Sequence, residues 1–451
     1  MEDKNANVSK EVHEKFWTKS NFGRKGWPLI IWTGFILLFC SGMTVDGLNV
    51  TLGVLAERLA ASPEAIPEMT ATLLTYSTIA GIVTVPALFF FGWISHKKGA
   101  RFITVICLIA SALSYIWHGN VQTEWEYLVS LTIISSCIGG AAWVGGGTYL
   151  ALWFPRKKGL ALGWATMGNN FCSAIYIPML TILIAVTGGL GMAIIPLGIV
   201  LLVLALLSKF FPNTPEKAGT TPDNLPMSAE EIDNYRKNAE AYVSQWTLKK
   251  LLMTKELWIV SISIGIPMLI TVGVMSQLIP RLTSPEIGFT LYQAILTMTI
   301  AALIGVGGSY FYGWLDQKIS TRKAMFVYMV VYGIGVLCNA LGIYNLAFVY
   351  ISVLIIGISI GGNTNWPVSI TSTVFGYRDF SKAFTLVNPI FTVIRIMAFS
   401  VLAFFIRITG SLTGAYVFFA ILAFIGAIVV LTINDKKHAS GLTQDDIRAA
   451  K

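Results

Sequence analysis

Residues 381–406 read SKAFTLVNPIFTVIRIMAFSVLAFFI, a run long enough to cross a bilayer with a single cation, Arg395, near its middle. An arginine at that depth costs roughly 2.5–3.5 kcal/mol on insertion scales, so the rest of the chain has to compensate for it. At helical spacing Asn388, Phe391, Thr392, Arg395 and Phe399 share one face, while Ile394, Met397, Val401 and Phe405 share the opposite one. The first face is expected to look into a helix bundle and the second toward lipid or neighbouring helices. Intramembrane charge is functional by default, so Arg395 is read as a substrate contact. The plainer alternative is a structural cation tied to a carboxylate or to backbone carbonyls.

The rest of the chain supports a membrane setting. Hydrophobic residues make up 55% of its 451 positions and charged ones only 12%, with a mean hydropathy of +0.69. Soluble chains of this length do not have that balance. Twelve apolar segments are expected, at roughly 28–52, 69–91, 102–119, 127–152, 160–185, 190–211, 256–280, 289–313, 325–343, 346–372, 381–406 and 411–433. The net charge of +9 follows topology and gives no sign of nucleic-acid binding. Of 32 Lys and Arg, all but Arg58, Arg281, Arg395 and Arg407 fall in the two termini and in alternate loops. The positive-inside rule then puts both termini in the cytoplasm.

The first 27 residues carry no apolar core or small-residue cleavage site, so the first span is expected to act as the insertion signal. All five cysteines fall inside expected spans and are read as small packing residues. The four histidines (His13, His96, His118, His438) are assigned to termini and loops, which argues against a histidine metal site.

An internal repeat organises the chain at an offset near 221 residues. Gly92-Trp93-Ile94 matches Gly313-Trp314-Leu315, and Gly139-Gly140 matches Gly361-Gly362. Arg58-Leu59 before Ser62-Pro63-Glu64 is echoed by Arg281-Leu282 before Ser284-Pro285-Glu286, and Phe154-Pro155 by Phe375-Gly376. Two parallel six-helix halves are expected, with a substrate site between them near mid-depth. The resulting plan is a cytoplasmic segment 1–27, a first half 28–211, a cytoplasmic linker 212–255, a second half 256–433 and a tail 434–451. Within the linker, Ser228 to Glu231 reads as a capping box. Leu248, Leu251 and Leu252 beside lysines suggest a short amphipathic helix on the leaflet.

With twelve spans as six plus six, a central polar linker and GWISHKKGAR between the second and third spans, the chain resembles the major facilitator superfamily. That resemblance implies a gating loop carried by Gly92, His96, Lys97, Gly99 and Arg101, with Gly313 and Asp316 in the second copy. His96 stands where the family pattern has aspartate, Asp316 arrives one position early, and Ser320 replaces a glycine. FPRKKGLALG, PNTPEKAG and Pro280-Arg281-Leu282 look like the oxalate/formate antiporter and monocarboxylate transporter branch. Similarity to that branch implies a substrate held between cations on the eighth and eleventh spans. Arg395 matches the eleventh by depth, but the eighth has no cation, only Gln293 near its outer end. One guanidinium pairs naturally with one carboxylate, which favours a monocarboxylate over a dianion.

Other residues are candidates on their type and depth. Asp46 is the carboxylate expected inside a span. It is read as a proton carrier, as the fixed partner of Arg395, or as a wet group at the outer mouth. Trp143, Tyr149, Asn169, Tyr176, Asn363 and Trp366 are candidate substrate contacts with Asn388 and Thr392, and Pro367 marks a hinge. Gly145-Gly146-Gly147 is explained by close helix packing or by a substrate-facing groove.

No GxxxxGK[ST] loop, dinucleotide fold or nucleophile–base pair is apparent. The fifth span also lacks the Gly-Pro pattern of proton-coupled drug exporters. An all-α, twelve-span secondary transporter of small organic anions is therefore expected. It would work as a monomer without cofactor in the cytoplasmic membrane of a bacterial cell, by proton symport or anion exchange. An exporter of amphipathic drugs or metabolites, and a non-transporting sensor of the same fold, are the competing readings.

Overall fold

The computed structural model describes residues 21–154, 158–224, 246–375 and 380–434, and every regular element among them is helical. Twelve described helices are long and apolar enough to cross a membrane, each overlapping one expected segment. The chain is an all-α polytopic membrane protein. Successive spans reverse direction. Gly23, Asn434 and residues 212–224 therefore lie on one face, here the termini face, and residues 60–65, 119–123, 284–290 and 410–412 on the other, the loop face.

Local chemistry sets the helix starts on the loop face. Thr123 Oγ1 accepts from the Glu126 N–H at 3.2 Å and Glu126 Oε2 accepts from the Thr123 N–H at 3.3 Å, closing a capping box on the fourth span. Thr290 and Gln293 repeat that arrangement at the eighth, which accounts for the polar Gln293 there.

Four spans are broken, two in each half. The first passes from Gly23–Ser41 through a π turn, Gly42–Asp46, into Leu48–Leu59. The fourth passes from Glu124–Gly139 through a π turn, Gly140–Gly146, into Gly147–Trp153. The seventh stops at Ser276 and resumes as Leu278–Thr283. The tenth stops at Asn363 and resumes at Trp366, just ahead of Pro367, where the sequence predicts a hinge.

Each half is internally tight because backbones touch. A Cβ on Gly168 would lie 2.0 Å from Gly34 O, joining the fifth and first spans, and one on Gly361 1.7 Å from Gly305 O, joining the tenth and eighth. Gly145 and Gly146 pack closely against the side chains of Thr104 and Thr33, whereas Gly147 faces open space. The repeat extends to contacts. Arg58 Nη1 donates to Gly119 O at 2.9 Å and Arg281 Nη2 to Asn339 O at 3.4 Å, each reaching the end of the third helix of its own half.

Two expectations need restating. His118 is not a loop residue: it ends the third span, buried, with Nδ1 2.8 Å from Ser130 Oγ and its ring between Tyr115 and Tyr127. Its position at three residues from Tyr115 on one helical face was the available signal. The linker helix is Leu248–Leu252, with Leu251 buried and Leu248 and Leu252 exposed. The capping box at Ser228–Glu231 lies outside the described residues, as does the His96 side chain.

Candidate functional site

The eleventh span, Phe380–Thr409, runs from the termini face to the loop face, and its partners change along the way. Near the loop face it is sealed against the second span, Ile66–Lys98. Arg407 Nε pairs with Glu68 Oε1 at 3.2 Å, and Arg407 Nη2 donates to Thr72 Oγ1 at 3.3 Å. One turn and more inward, Ser400 Oγ donates to Thr78 Oγ1 at 2.9 Å, and Ile396 packs so closely on Gly81 that a Cβ there would lie 2.8 Å away.

The other inter-half contacts on this side agree. Asn49 Nδ2, on the first span, donates to Met275 O, and Asn49 Oδ1 accepts from the Ile279 N–H at 2.9 Å. That side chain thereby satisfies backbone groups freed where the seventh span breaks. Ile177, Met275, Leu278, Ala294 and Met298 form an apolar plug alongside.

Beyond Ile396 the helices part. Thr392, Asn388, Pro389 and Thr385 from the eleventh span face Trp143 and Val144 from the fourth and Val85, Leu88 and Phe89 from the second across a cavity of about 170 Å³. Three expected contacts, Trp143, Asn388 and Thr392, are thus brought together. Gly147 lies one turn on from Trp143 and Val144, on their face of the helix.

Arg395 stands at the join, one turn past Thr392 and one residue short of the sealed Ile396. Its Nε is buried without a hydrogen-bond partner. Ion pairs among the described residues are Arg281–Glu286 and Arg407–Glu68, so Arg395 is not balanced by a carboxylate. Cys40 of the first span lies near it, and Cys40 in turn contacts Trp143. Arg395 is half-buried as a residue, and a guanidinium with one buried donor left unfilled is an unfavourable arrangement unless something else occupies it.

Asp46 ends the π turn of the first span and is buried rather than wet. Its Oδ2 accepts from Ser173 Oγ at 2.8 Å, and Ser41 and Cys172 also hydrogen-bond to the carboxyl. It is not paired with Arg395. The remaining expected contacts lie elsewhere. Tyr176 bonds to Tyr115, and Tyr149 donates to Phe211 O at 2.9 Å, both inside the first half. Asn169 is half-buried on the fifth span. Asn363 bonds to Tyr328 Oη at 3.2 Å and Thr271 Oγ1 at 3.0 Å, beside a fully buried Trp366, inside the second half.

The expected gating loops are anchored to their own halves. Lys97 Nζ sits 4.0 Å over the Trp93 ring, and the Arg101 N–H donates to Asn213 Oδ1 at 2.9 Å, against which Gly99 also turns. Gly92 meets open space. Asp316 Oδ2 accepts from Ser369 Oγ, tying the eighth span to the tenth, with Gly313 close to Asn365 on that same join.

Comparison with known proteins follows the same lines. No curated protein matches the chain. A solved structure it resembles is the crystal structure of a D-xylose-proton symporter. The match has 15% sequence identity and a TM-score of 0.69 over 92% of this chain and 99% of that one. At that identity the likeness establishes the shared fold. The family model of the Major Facilitator Superfamily matches residues 34–398, most of the sequence. Two packed six-span halves, a seam that closes one face and a cavity ending mid-membrane are the expected anatomy of such a protein, and the chain belongs to the Major Facilitator Superfamily of membrane transporters.

Proposed function

We propose that this protein is a secondary transporter of small organic anions, monocarboxylates in particular, working by alternating access. The observation that carries the reading is the buried Arg395 Nε with an unfilled hydrogen-bonding position, one turn past the cavity residue Thr392. A carboxylate leaving water needs a fixed countercharge, and the planar guanidinium supplies charge and directed donors together. Asn388 and Thr392 add neutral polar groups, and Trp143 an apolar wall. With no second cation among the described residues that line the cavity, one negative charge on the substrate is favoured.

Asp46 is the candidate coupling group, since it is a carboxyl inside the bundle held by hydroxyl and thiol donors rather than by a cation. Proton symport uses it as the carrier; anion exchange does without it. With both termini in the cytoplasm, the described conformation is the inward-facing one.

Uptake into proteoliposomes of a panel of radiolabelled monocarboxylates, dicarboxylates and neutral sugars tests the reading. Charge-assisted hydrogen bonds are worth roughly 1.5–3 kcal/mol, so Arg395→Gln is expected to weaken a monocarboxylate by about tenfold to a hundredfold. Arg395→Lys retains part of the activity. Unchanged carboxylate affinity in Arg395→Gln, or uptake of sugars alone, overturns the proposal. Efflux of amphipathic compounds that ignores added carboxylates would favour the exporter reading instead.

A further inference from the structure

A second cavity, of about 530 Å³, lies on the outer surface of the first half, between the third span, Ala100–His118, and the sixth, Leu190–Phe210. Its rim on the termini face carries three cations, Lys98, Arg101 and Lys209, with no carboxylate among the lining residues. The two ammonium groups are held over aromatic rings, Lys98 Nζ 4.6 Å from the Phe102 ring centre and Lys209 Nζ 5.1 Å from that of Phe210. Arg101 is engaged through its backbone N–H, which leaves the guanidinium without a hydrogen bond to any described residue.

About one turn deeper the walls become apolar, with Val105 and Ile106 on the third span and Leu206 on the sixth. Ile106 and Leu206 are 46% and 68% exposed, on the side that faces the bilayer. At 1.5 Å per residue Val105 and Ile106 sit roughly 6–8 Å below Arg101 and Leu206 roughly 4–5 Å below Lys209, the step from headgroup to acyl chain.

The repeat supplies an internal control. At the position of Arg101 the second half has Arg322, whose Nη1 donates to Ile433 O at 3.1 Å and is thereby folded onto its own chain. Where the first half has Lys209 the second has Val430. Among the described residues, the second corner therefore does not repeat the cation arrangement of the first.

We propose that this crevice binds one anionic phospholipid from the leaflet on the termini face. Its phosphate is held by Lys98, Arg101 and Lys209, and one acyl chain lies along Val105, Ile106 and Leu206. Basic pockets between spans attract anionic headgroups in this way, each juxtamembrane cation strengthening binding about fivefold. A soluble anion would use the rim but gain nothing from the walls, so lipid is the occupant that fits both. The bound lipid would brace the third span against the sixth beside the loop that turns at Gly99.

Native mass spectrometry of the purified full chain in detergent, titrated with phosphatidylglycerol and with phosphatidylcholine of the same chains, tests this. One phosphatidylglycerol should be retained in preference to phosphatidylcholine. Lys98→Gln with Arg101→Gln and Lys209→Gln should lose about a hundredfold in that retention, while Arg322→Gln with Lys323→Gln should not. Ile106→Trp, which fills the groove and keeps every charge, should also lose the lipid. Equal retention of the two lipids, an unaffected triple variant, or displacement of the lipid by glycerol 3-phosphate at similar concentration would each overturn the proposal.

Discussion

Gly99 and Ser320 adopt the same backbone conformation at the same place in the two halves, φ 90°, ψ 159° and φ 86°, ψ 146°. Each is the residue at which one helix ends and the next begins. The glycine enters that region freely, whereas a side chain there costs on the order of 1–3 kcal/mol. Ser320 makes no capping hydrogen bond with its side chain that would offset the cost. Ser320→Gly is therefore expected to stabilise the protein by about 1 kcal/mol, read as a higher thermal unfolding midpoint in detergent. Gly99→Ser should lower it, because Asn213 occupies the space a Cβ needs. A lower midpoint in Ser320→Gly would show that the serine has an unrecognised partner.

Asn49 joins the halves at the broken seventh span through Met275 O and the Ile279 N–H. Opening the loop face has to break both bonds. Asn49→Ala removes them in advance, and with each worth about 0.5–1.5 kcal/mol the balance should move roughly fivefold to a hundredfold toward the conformation open on that face. Thiol labelling of a cysteine placed at Leu282, buried in the plug, should be faster in the variant. Equal labelling rates would mean that the plug, rather than Asn49, sets the balance.

Asp46→Asn keeps an acceptor for Ser173 but not a titratable group. Accumulation driven by a pH gradient should be abolished while exchange of substrate across the membrane persists. Normal gradient-driven accumulation would remove Asp46 from the coupling step.

Glu286, on the loop face, pairs with the fully buried Arg281 at 2.5 Å. Burial raises its carboxyl, but hydrogen bonds from Ser411, Thr413 and Arg281 outweigh that and hold it below its ordinary 4.5. A depressed acid contributes stability above its unfolded pKa, and that contribution is lost as pH falls below about 4.5 toward the folded value. Thermal unfolding of the wild type should therefore weaken over that acid range, and Glu286→Gln should lose that part of the pH dependence. A variant with the full acid sensitivity would point to another carboxylate.

Much of the fold was legible because hydropathy, charge asymmetry and repeats are written in consecutive residues. Arg395, Asn388 and Thr392 could be placed together because they share a face of one helix, and Trp143 because it lies at matching depth. Tyr149, Tyr176, Asn363 and Trp366 have similar depth and chemistry, yet they turn into networks within a half. Lipid and helix neighbours are both apolar, so local patterning does not report how a span is rotated about its axis. The seam residues Asn49, Ser400 and Arg407 are pairings between segments remote in sequence, and no local pattern points to them.

The π turn at Gly42–Asp46 makes residue count itself part of the design. A π turn accommodates one residue more than regular helix would over the same rise. Each helical residue turns the chain by about 100°. Adding one residue to the regular helix after the turn would swing everything beyond it by that angle. Asn49 would then leave the seventh span, and the loop face would lose its bridge with no side chain changed. The π turn takes up its surplus residue within itself, so Leu48–Leu59 keeps nearly the phase of Gly23–Ser41. It thereby lets the first span carry one residue more and still aim at the opposite half.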